Sequence, residues 1–204
     1  SVVARHQRGH PYVTATVAGV VLAAGAGSRF RDGGASAAGH KLRASFRGRP
    51  VVAWVLDTVL EVGFNEVFVI TGAVDLSDLL PSGVTEVHNP VWATGQSSSL
   101  QAAVAAADAA GHGAIVVGLG DQPLVPAAAW RSVGATAGPI VTATFDGERR
   151  PPVKLERSVW AELPTEGDAG ARTLMQRRPE LVSEIPCRGN PADIDTVEDL
   201  RLWS

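Results

Sequence analysis

Residues 17–29 read VAGVVLAAGAGSR, a short valine-rich run that ends in alternating small residues. The apolar part, 17–23, predicts a strand that is buried on both faces. The small residues after it predict a tight loop whose backbone can approach a polyphosphate closely. Because open α/β sheets bind ligands where their strands end, this loop is the first candidate for a binding site.

The same alternation of apolar runs and helical periods continues along the chain. Further strands are predicted at 66–71, 84–88, 114–119, 139–144, 152–155 and 181–185. Helices are predicted at 50–62, 97–110, 126–136, 169–177 and 196–202, with Pro50 and Pro126 as first helical residues and Ser97 as a cap. This order is typical of a three-layer α/β/α domain with a mostly parallel sheet.

Composition and charge exclude several classes of protein. The 204 residues carry a formal net charge of −3 and a single cysteine, Cys187. This balance argues against a broad surface for nucleic acid or membrane, and one cysteine excludes an internal disulfide. The apolar runs are shorter than the roughly 20 residues that a membrane helix needs. We expect a cytoplasmic protein, with residues 1–16 as a flexible leader that is not a signal peptide and 17–204 as a single domain.

Two cations follow the glycine-rich loop, Arg29 at its end and Lys41 beyond it. Arg29 can bind phosphate as a two-pronged donor, and Lys41 can bind it as a point charge. The loop matches neither the dinucleotide fingerprint G-x-G-x-x-G nor the P-loop, which needs Gly-Lys-Ser or Gly-Lys-Thr. An ordinary glycine-rich turn is the alternative interpretation.

Three carboxylates are candidates for a metal site. Asp121 follows the predicted strand 114–119, which would place it beside the ligand crevice. Asp193 and Asp195 alternate in an extended segment and would share a face, so one of them can supply a second carboxylate. Mg²⁺ typically takes one or two carboxylates and fills its shell with water and phosphate oxygens. The alternative for Asp121 is a turn residue. For the acidic residues near 195, the alternative is interaction with the N-terminus of the last helix, which Thr196 would cap.

Two more loops lead into predicted helices, residues 89–99 (NPVWATGQSSS) and 167–172 (GDAGAR). A loop ahead of a helix N-terminus can bind an anion or the edge of a base, and Arg172 can reach a phosphate. Structural capping of the helix is the alternative for Ser97 and Asp168.

Together these segments resemble the MobA-like nucleotidyltransferases, and within them the molybdenum cofactor cytidylyltransferases. The matching stretches, in the order of the family, are VVLAAGAGSRF (20–30), NPVWATGQSSSLQAA (89–103), VVGLGDQPLV (116–125), PPVKL (151–155), EGDAGARTLM (166–175) and DIDTVEDL (193–200). The chain departs from the family at two points. Lys41 lies farther behind Arg29 than is usual, so 30–40 resembles an insertion, and PPVKL lacks an aromatic residue.

The resemblance implies a Rossmann-like nucleotidyltransferase fold of the nucleotide-diphospho-sugar transferase type, with a mostly parallel mixed sheet. It implies that Arg29, Lys41 and Asp121 are catalytic, and that Mg²⁺, or Mn²⁺ in its place, binds Asp121 together with Asp195 or, as second choice, Asp193. The implied nucleotide-binding residues are Leu22, Ala23, Ala24, Gly25, Gly27, Ser28, Arg29, Lys41, Gly72 and Asp121. The implied substrate-binding residues are Asn89, Gly95, Ser97, Ser98, Ser99, Gln122, Asp168 and Arg172.

The sequence Leu-Ala-Ala-Gly at 22–25 is similar to family members that use CTP, whereas GTP users tend to carry glycine in place of Ala24. The resemblance therefore implies transfer of CMP from CTP to the terminal phosphate of molybdopterin, with release of pyrophosphate. A molybdoenzyme or its chaperone would be the protein partner. The alternatives are a guanylyltransferase, a nucleotidyltransferase for a sugar, polyol or other cofactor phosphate, and a non-catalytic cofactor-binding chaperone. An NAD-dependent oxidoreductase is disfavoured, because both G-x-G-x-x-G and an acidic ribose ligand after the first strand are missing.

Overall fold

The computed structural model describes residues 16–32 and 39–204. Most of the predicted leader (1–16) and the centre of the predicted insertion (30–40) therefore lie outside the described residues. The strands are β1 Val17–Ala23, β2 Ser45–Phe46, β3 Arg49–Pro50, β4 Glu66–Thr71, β5 Val84–His88, β6 Ala114–Leu119, β7 Ile140–Phe145, β8 Glu148–Glu156 and β9 Val182–Pro186. The helices are α1 Ser28–Asp32, α2 Val51–Val62, α3 Gln96–Ala109, α4 Ala127–Ala135, α5 Ala171–Arg177 and α6 Val197–Trp203.

Seven of these strands form one sheet in the order β5-β4-β1-β6-β8-β7-β9, while β2 and β3 form a small hairpin. The strand β8 runs antiparallel to its neighbours β6 and β7, and the other pairs in the large sheet are parallel. In register, Val20 of β1 lies between Phe68 of β4 and Val117 of β6. The prediction of a mostly parallel mixed sheet is confirmed.

Helices cover both faces of the sheet, as the apolar side chains of β1 require. Val21 lies in a buried cluster with Leu56 of α2 and Trp130 of α4. Its neighbour Val20 lies in a second cluster with Leu100 of α3. Because successive residues of a strand point to opposite faces, the two clusters form separate core layers above and below the sheet. The three-layer prediction is confirmed.

The predicted helix starts need correction by a residue or two. Pro50 and Pro126 lie at the N-cap, just before their helices, rather than at the first helical position. Ser97 does not cap α3, because that helix begins one residue earlier and its N-cap is Gly95. Gly95 has a φ of 110°, and a Cβ there would lie 2.6 Å from the carbonyl of Gly167, so a glycine suits this position.

The strand predicted at 152–155 is too short, because β8 extends back to Glu148. The charged residues at its start carry no hydrophobic signal, yet they pair with the end of β7. None of the helices in the described ranges is long and apolar enough to cross a bilayer.

Candidate active site

Two adjoining cavities lie at the edge of the sheet where β1 and β6 end. The first cavity has a volume of about 330 Å³ and the second about 350 Å³. They share the side chains of Leu22, Gln96 and Leu119. The first cavity is lined by Leu22, Ala23, Ala24, Gly25, Ala26, Lys41, Leu42, Trp92, Ala93, Gly95, Gln96, Ser99, Leu119, Asp121 and Asp168. The sequence-predicted loop therefore forms one wall of a cavity, beside Lys41 and Asp121.

A compact charged cluster lies at the first cavity. The ammonium of Lys41 donates to Oδ2 of Asp121 at 2.5 Å and to Oδ1 of Asp195 at 2.6 Å. Arg29 donates from Nη1 to the other oxygen of Asp195 at 2.9 Å. Burial alone would lower the pKa of Lys41, but the charges and hydrogen bonds of Asp121 and Asp195 outweigh it and raise that pKa. Lys41 is therefore held as a cation between two carboxylates.

The backbone brings the two carboxylates together. Asp121 follows β6, and its carbonyl accepts a hydrogen bond of 2.8 Å from the amide of Ile194. The Ile194 side chain is fully buried among Phe46 and Val51, so the segment before Asp195 is fixed by apolar packing. One backbone hydrogen bond and one buried side chain thus bring together two carboxylates that lie more than seventy residues apart in the sequence.

The last helix holds Asp195 from the other side. Thr196 caps α6, as predicted, and forms a capping box with Asp199. The same Oδ2 of Asp199 also accepts a hydrogen bond of 3.0 Å from the backbone amide of Asp195. Burial alone would raise the pKa of Asp199, but these donors outweigh it and lower that pKa. The carboxylate of Asp199 therefore stabilises the backbone from which Asp195 projects.

One oxygen of Asp121 stands out chemically. Its Oδ1 is buried and has no hydrogen-bond partner among the described residues. A buried carboxylate oxygen without a partner is costly, so this atom fits a ligand of positive charge. No group of three or more His, Cys, Asp or Glu side chains in the described ranges is arranged to hold a metal. The unpartnered Oδ1 of Asp121 is compatible with a divalent cation such as Mg²⁺ or Mn²⁺, which needs only one or two carboxylates and completes its shell with water and substrate oxygens.

Asp193 and Asp195 make different contacts. Asp193 accepts a hydrogen bond of 2.9 Å from Nε2 of Gln122 and lines the second cavity. Its burial, and after that its proximity to Asp121 and Asp195, raises the pKa of Asp193. Asp195, in contrast, is the partner of both cations in the cluster.

His40, which the sequence analysis did not single out, fixes the glycine-rich loop. Its Nδ1 accepts from the amide of Leu42, so Nε2 carries the proton and donates to the carbonyl of Gly25 at 2.9 Å. A Cβ at Gly27 would lie 3.0 Å from the His40 ring, and the φ of Gly27 is 61°. Gly27 thus allows the loop to pack against the turn that carries Lys41. The only sequence signal for His40 is its position directly before Lys41.

Several predicted binding residues lie around the cavities rather than on their surface. Gly72 packs so tightly that a Cβ there would lie 2.7 Å from Trp92 and 2.9 Å from the methyl of Ala24. The buried Asn89 donates to the hydroxyls of Ser98 and Ser99. Gly72 and Asn89 therefore support the wall residues Ala24 and Ser99, and Trp92 of the candidate loop 89–99 lines the first cavity itself.

Ser97, Ser98 and Ser99, which the sequence analysis placed in a loop ahead of the helix, lie in the first turn of α3 and are buried. Ser98 donates to the backbone carbonyl of Gly95, so its hydroxyl is used within the loop. Ser97 is fully buried, and its Oγ has no hydrogen-bond partner among the described residues. Ser99 is the serine of the three that lines a cavity.

Asp168 caps a neighbouring helix rather than its own. Its Oδ1 accepts a hydrogen bond of 3.3 Å from the amide of Gln96, the first residue of α3. Its own helix, α5, begins after Gly170 with no side-chain cap. The contact joins the loop before α5 to the loop before α3, and it places Asp168 in the wall of the first cavity.

The second cavity combines an apolar floor with a basic rim. The floor includes Leu100, Val117 and Met175. The rim has Arg172, which makes no ion pair within the described ranges. It also has Arg149 and Arg150, which sequence reasoning missed and which pair with Glu184 and Glu148. Its lining is Leu22, Gln96, Leu100, Val117, Leu119, Gln122, Thr142, Arg149, Arg150, Pro151, Val153, Ala169, Gly170, Ala171, Arg172, Met175, Gln176 and Asp193.

Comparison with known proteins identifies relatives of this architecture. A family model described as the MobA-like NTP transferase domain matches residues 19–182. The chain is 32% identical over 202 residues to the nicotine blue oxidoreductase of Paenarthrobacter nicotinovorans. The alignment covers 90% of this chain and 94% of that protein.

Solved structures give the same result for the fold. Rv0371c from Mycobacterium tuberculosis H37Rv is similar with a TM-score of 0.77 and 27% identity, over 93% of this chain and 98% of that one. The same protein was also solved in complex with manganese, with a TM-score of 0.72 and 26% identity over 92% of this chain and 97% of that chain. The 4-diphosphocytidyl-2C-methyl-D-erythritol synthase of Anaerococcus prevotii, at 15% identity and a TM-score of 0.69, matches over 93% of this chain and 94% of that one. This last similarity concerns the fold alone.

Proposed function

Since the chain belongs to the MobA-like NTP transferase family, we propose that it transfers CMP from CTP to the terminal phosphate of molybdopterin and releases pyrophosphate. The family and the structural neighbours make it a nucleotidyltransferase with the nucleotide-diphospho-sugar transferase fold.

The observation that carries the proposal is the pair of adjoining cavities with the charged cluster at one of them. A transferase needs two substrates side by side, and the two cavities share a wall formed by Leu22, Gln96 and Leu119. The glycine-rich loop, Lys41 and Asp121 line the first cavity, which suits a nucleoside triphosphate. The basic rim and apolar floor of the second suit a flat acceptor that carries a phosphate.

Asp121 and Asp195 would hold Mg²⁺ or Mn²⁺. The buried Oδ1 of Asp121, without a hydrogen-bond partner in the described ranges, supports this assignment. The similar Rv0371c was solved in complex with manganese, which supports a divalent cation in general. When bound, the metal would neutralise charge on the phosphate oxygens.

The residues of this chain would act by positioning and charge. The backbone amides of the loop bind the triphosphate, and Lys41 and Arg29 stabilise negative charge that builds on the departing pyrophosphate. In the second cavity, Arg172 and Gln122 orient the acceptor so that its phosphate oxygen faces the α-phosphorus. That oxygen then forms a bond to the α-phosphorus in line, while the bond to the bridging oxygen of pyrophosphate breaks. No protein nucleophile is required.

CTP is the proposed nucleotide because of Ala24. A Cβ at Gly72 would lie 2.9 Å from the Ala24 methyl, and Ala24 and Trp92 both line the first cavity, so this methyl would limit the size of the base. The product would pass to a molybdoenzyme or its chaperone.

A second candidate function is an oxidoreductase, because a relative with that name is 32% identical over 90% of this chain. The sequence argues against this function, because it has no G-x-G-x-x-G motif after the first strand. Oxidation of NADH or NADPH in the absence of any nucleoside triphosphate would favour it.

The test is pyrophosphate release with Mg²⁺ and molybdenum-loaded molybdopterin, comparing CTP, GTP, ATP and UTP. Release with CTP above the others supports the proposal. Release with GTP keeps the reaction and overturns the nucleotide. A panel of sugar, polyol and cofactor phosphates as acceptors covers the remaining nucleotidyltransferases, and tight molybdopterin binding without turnover would favour a chaperone.

A further inference from the structure

The ammonium of Lys41 occupies the position between Asp121 and Asp195, at 2.5 Å and 2.6 Å from one oxygen of each. All three side chains are largely buried, with 14%, 15% and 18% of their surfaces exposed. Arg29, by contrast, is 73% exposed. Lys41 is therefore the buried counter-ion of both carboxylates, and solvent screens these contacts little.

We propose that Lys41 is an internal competitor for the metal site: a divalent cation binds Asp121 and Asp195 by displacing the ammonium, which is then available to the triphosphate. The inference rests on the proposed function, which assigns the metal to these carboxylates. The two cations exclude each other because a divalent ion and an ammonium on the same carboxylates repel strongly at distances of a few ångströms.

The displaced ammonium has a place to go. Lys41 lines the first cavity, beside the loop residues Ala24 and Gly25. A triphosphate in that cavity would offer the ammonium new anionic partners in place of the carboxylates. Metal and nucleotide then support each other's binding, because the metal releases Lys41 and the nucleotide accepts it, and this coupling is reciprocal.

The chain offers an internal control for a direct test. Its lysines are Lys41 and Lys154. Lys154 is also buried, but it lines neither cavity: its ammonium donates to the backbone carbonyl of Thr136 and pairs with Glu156 at 3.3 Å. Protein labelled with ¹⁵N at lysine Nζ would be titrated with MgCl₂, with and without CTP, and followed by NMR. We expect the Lys41 signal to shift on saturation with Mg²⁺ while the Lys154 signal stays in place.

Mn²⁺ affinity, measured from the electron paramagnetic resonance of free Mn²⁺, gives an independent readout. We expect Lys41→Met to bind Mn²⁺ at least about tenfold more tightly than the wild type without nucleotide, because it removes the competing charge. Lys41→Arg keeps the charge and should bind Mn²⁺ no more tightly than the wild type. CTP should raise the Mn²⁺ affinity of the wild type more than that of Lys41→Met.

The outcomes separate this inference from the proposed function. If Asp121→Asn abolishes Mn²⁺ binding while the Lys41 signal stays unmoved and Lys41→Met binds no more tightly, Lys41 is not a competitor although the metal site stands. If Asp121→Asn leaves Mn²⁺ binding intact, the metal assignment fails as well. Should Lys41→Met fail to fold, the NMR titration of the wild type decides the question alone.

Discussion

The ammonium of Lys41 lies 2.5 Å from Oδ2 of Asp121, although 80 positions separate the two residues in the chain. Lys41 belongs to a short turn after α1, and Asp121 follows a strand at the centre of the sheet. Their contact depends on the way the turn folds over the carboxyl ends of β1 and β6. The hydrogen bond holds the two side chains in place, so substitutions at this pair should separate chemistry from folding.

Asp121→Asn should reduce kcat of pyrophosphate release by about 10²-fold or more, because it removes the charge proposed to bind the metal. The amide is similar in size to the carboxylate, so the fold should persist. Thermal unfolding monitored by circular dichroism checks this. A variant with full activity would overturn the role of Asp121.

Asp199→Ala should lower both stability and activity. The substitution removes the capping box of α6 and the acceptor for the Asp195 amide, which we expect to cost about 1 kcal/mol of unfolding free energy. Because the pKa of Asp199 is lowered in the fold, its contribution is present above its ordinary pKa of 3.8 and is lost as the pH falls through the lowered value.

Glu198→Ala is the matched control for Asp199→Ala, because Glu198 lies in the same helical turn and is exposed. It should leave kcat/KM close to that of the wild type. Equal losses of activity in the two variants would mean that the helix end as a whole matters, and not the bond from Asp199 to Asp195.

Arg172→Ala should raise KM for the phosphorylated acceptor by roughly tenfold and leave KM for CTP little changed. The reason is that Arg172 lines the second cavity and has no carboxylate partner in the described ranges, so its charge is available to the acceptor. Arg177→Ala, on the same helix but away from both cavities, should leave both KM values unchanged. A rise in KM for CTP instead would place the nucleotide next to α5.

Asp193→Asn should stabilise the fold at neutral pH. Burial and the nearby Asp121 and Asp195 raise the pKa of Asp193, so the folded chain holds that proton more tightly than the unfolded chain. As the pH rises above the ordinary value of 3.8, the unfolded chain loses the proton first and the wild type becomes less stable. The asparagine removes this penalty and still accepts from Gln122. Urea unfolding of the variant and the wild type at several pH values measures this gain in stability. A gain that did not shrink toward acid pH would contradict the prediction.

Ala24→Gly should increase the use of GTP relative to CTP. Removal of the methyl opens space between the loop and the tightly packed Gly72 and Trp92. Ala26→Gly makes the same chemical change two residues farther along, so it controls for loop flexibility and should leave the preference unaltered. The measurement is the ratio of kcat/KM for the two nucleotides, and an unchanged ratio in Ala24→Gly would remove Ala24 as a determinant of the base.

The strands buried on both faces were the most predictable elements, and β1, β4 and β6 have the predicted bounds, as does the edge strand β5. Such strands are continuous apolar runs, which the sequence displays directly. The start of β8 was missed, because Glu148, Arg149 and Arg150 read as a polar loop. Only pairing with β7 makes that segment a strand, and pairing is a long-range property.

The cluster at the first cavity was predicted as a set of residues but not as a geometry. Arg29, Lys41, Asp121 and Asp195 were all candidates, yet no pattern in the sequence predicts one lysine between two carboxylates. His40 was not recognised, because a single histidine carries no periodicity and no motif of its own, and Trp92 was recognised only as part of the loop 89–99.

By itself, the sequence determined the layered α/β architecture, since apolar runs and helical periods are local properties that burial selects. It also determined which charged and small residues are available at the ends of β1 and β6. The tertiary structure alone decided which of them meet: Asp195 pairs with Lys41, Asp193 with Gln122, and Asp168 with the start of α3. These contacts depend on how loops far apart in the chain pack at one edge of the sheet, and no local pattern encodes such distances.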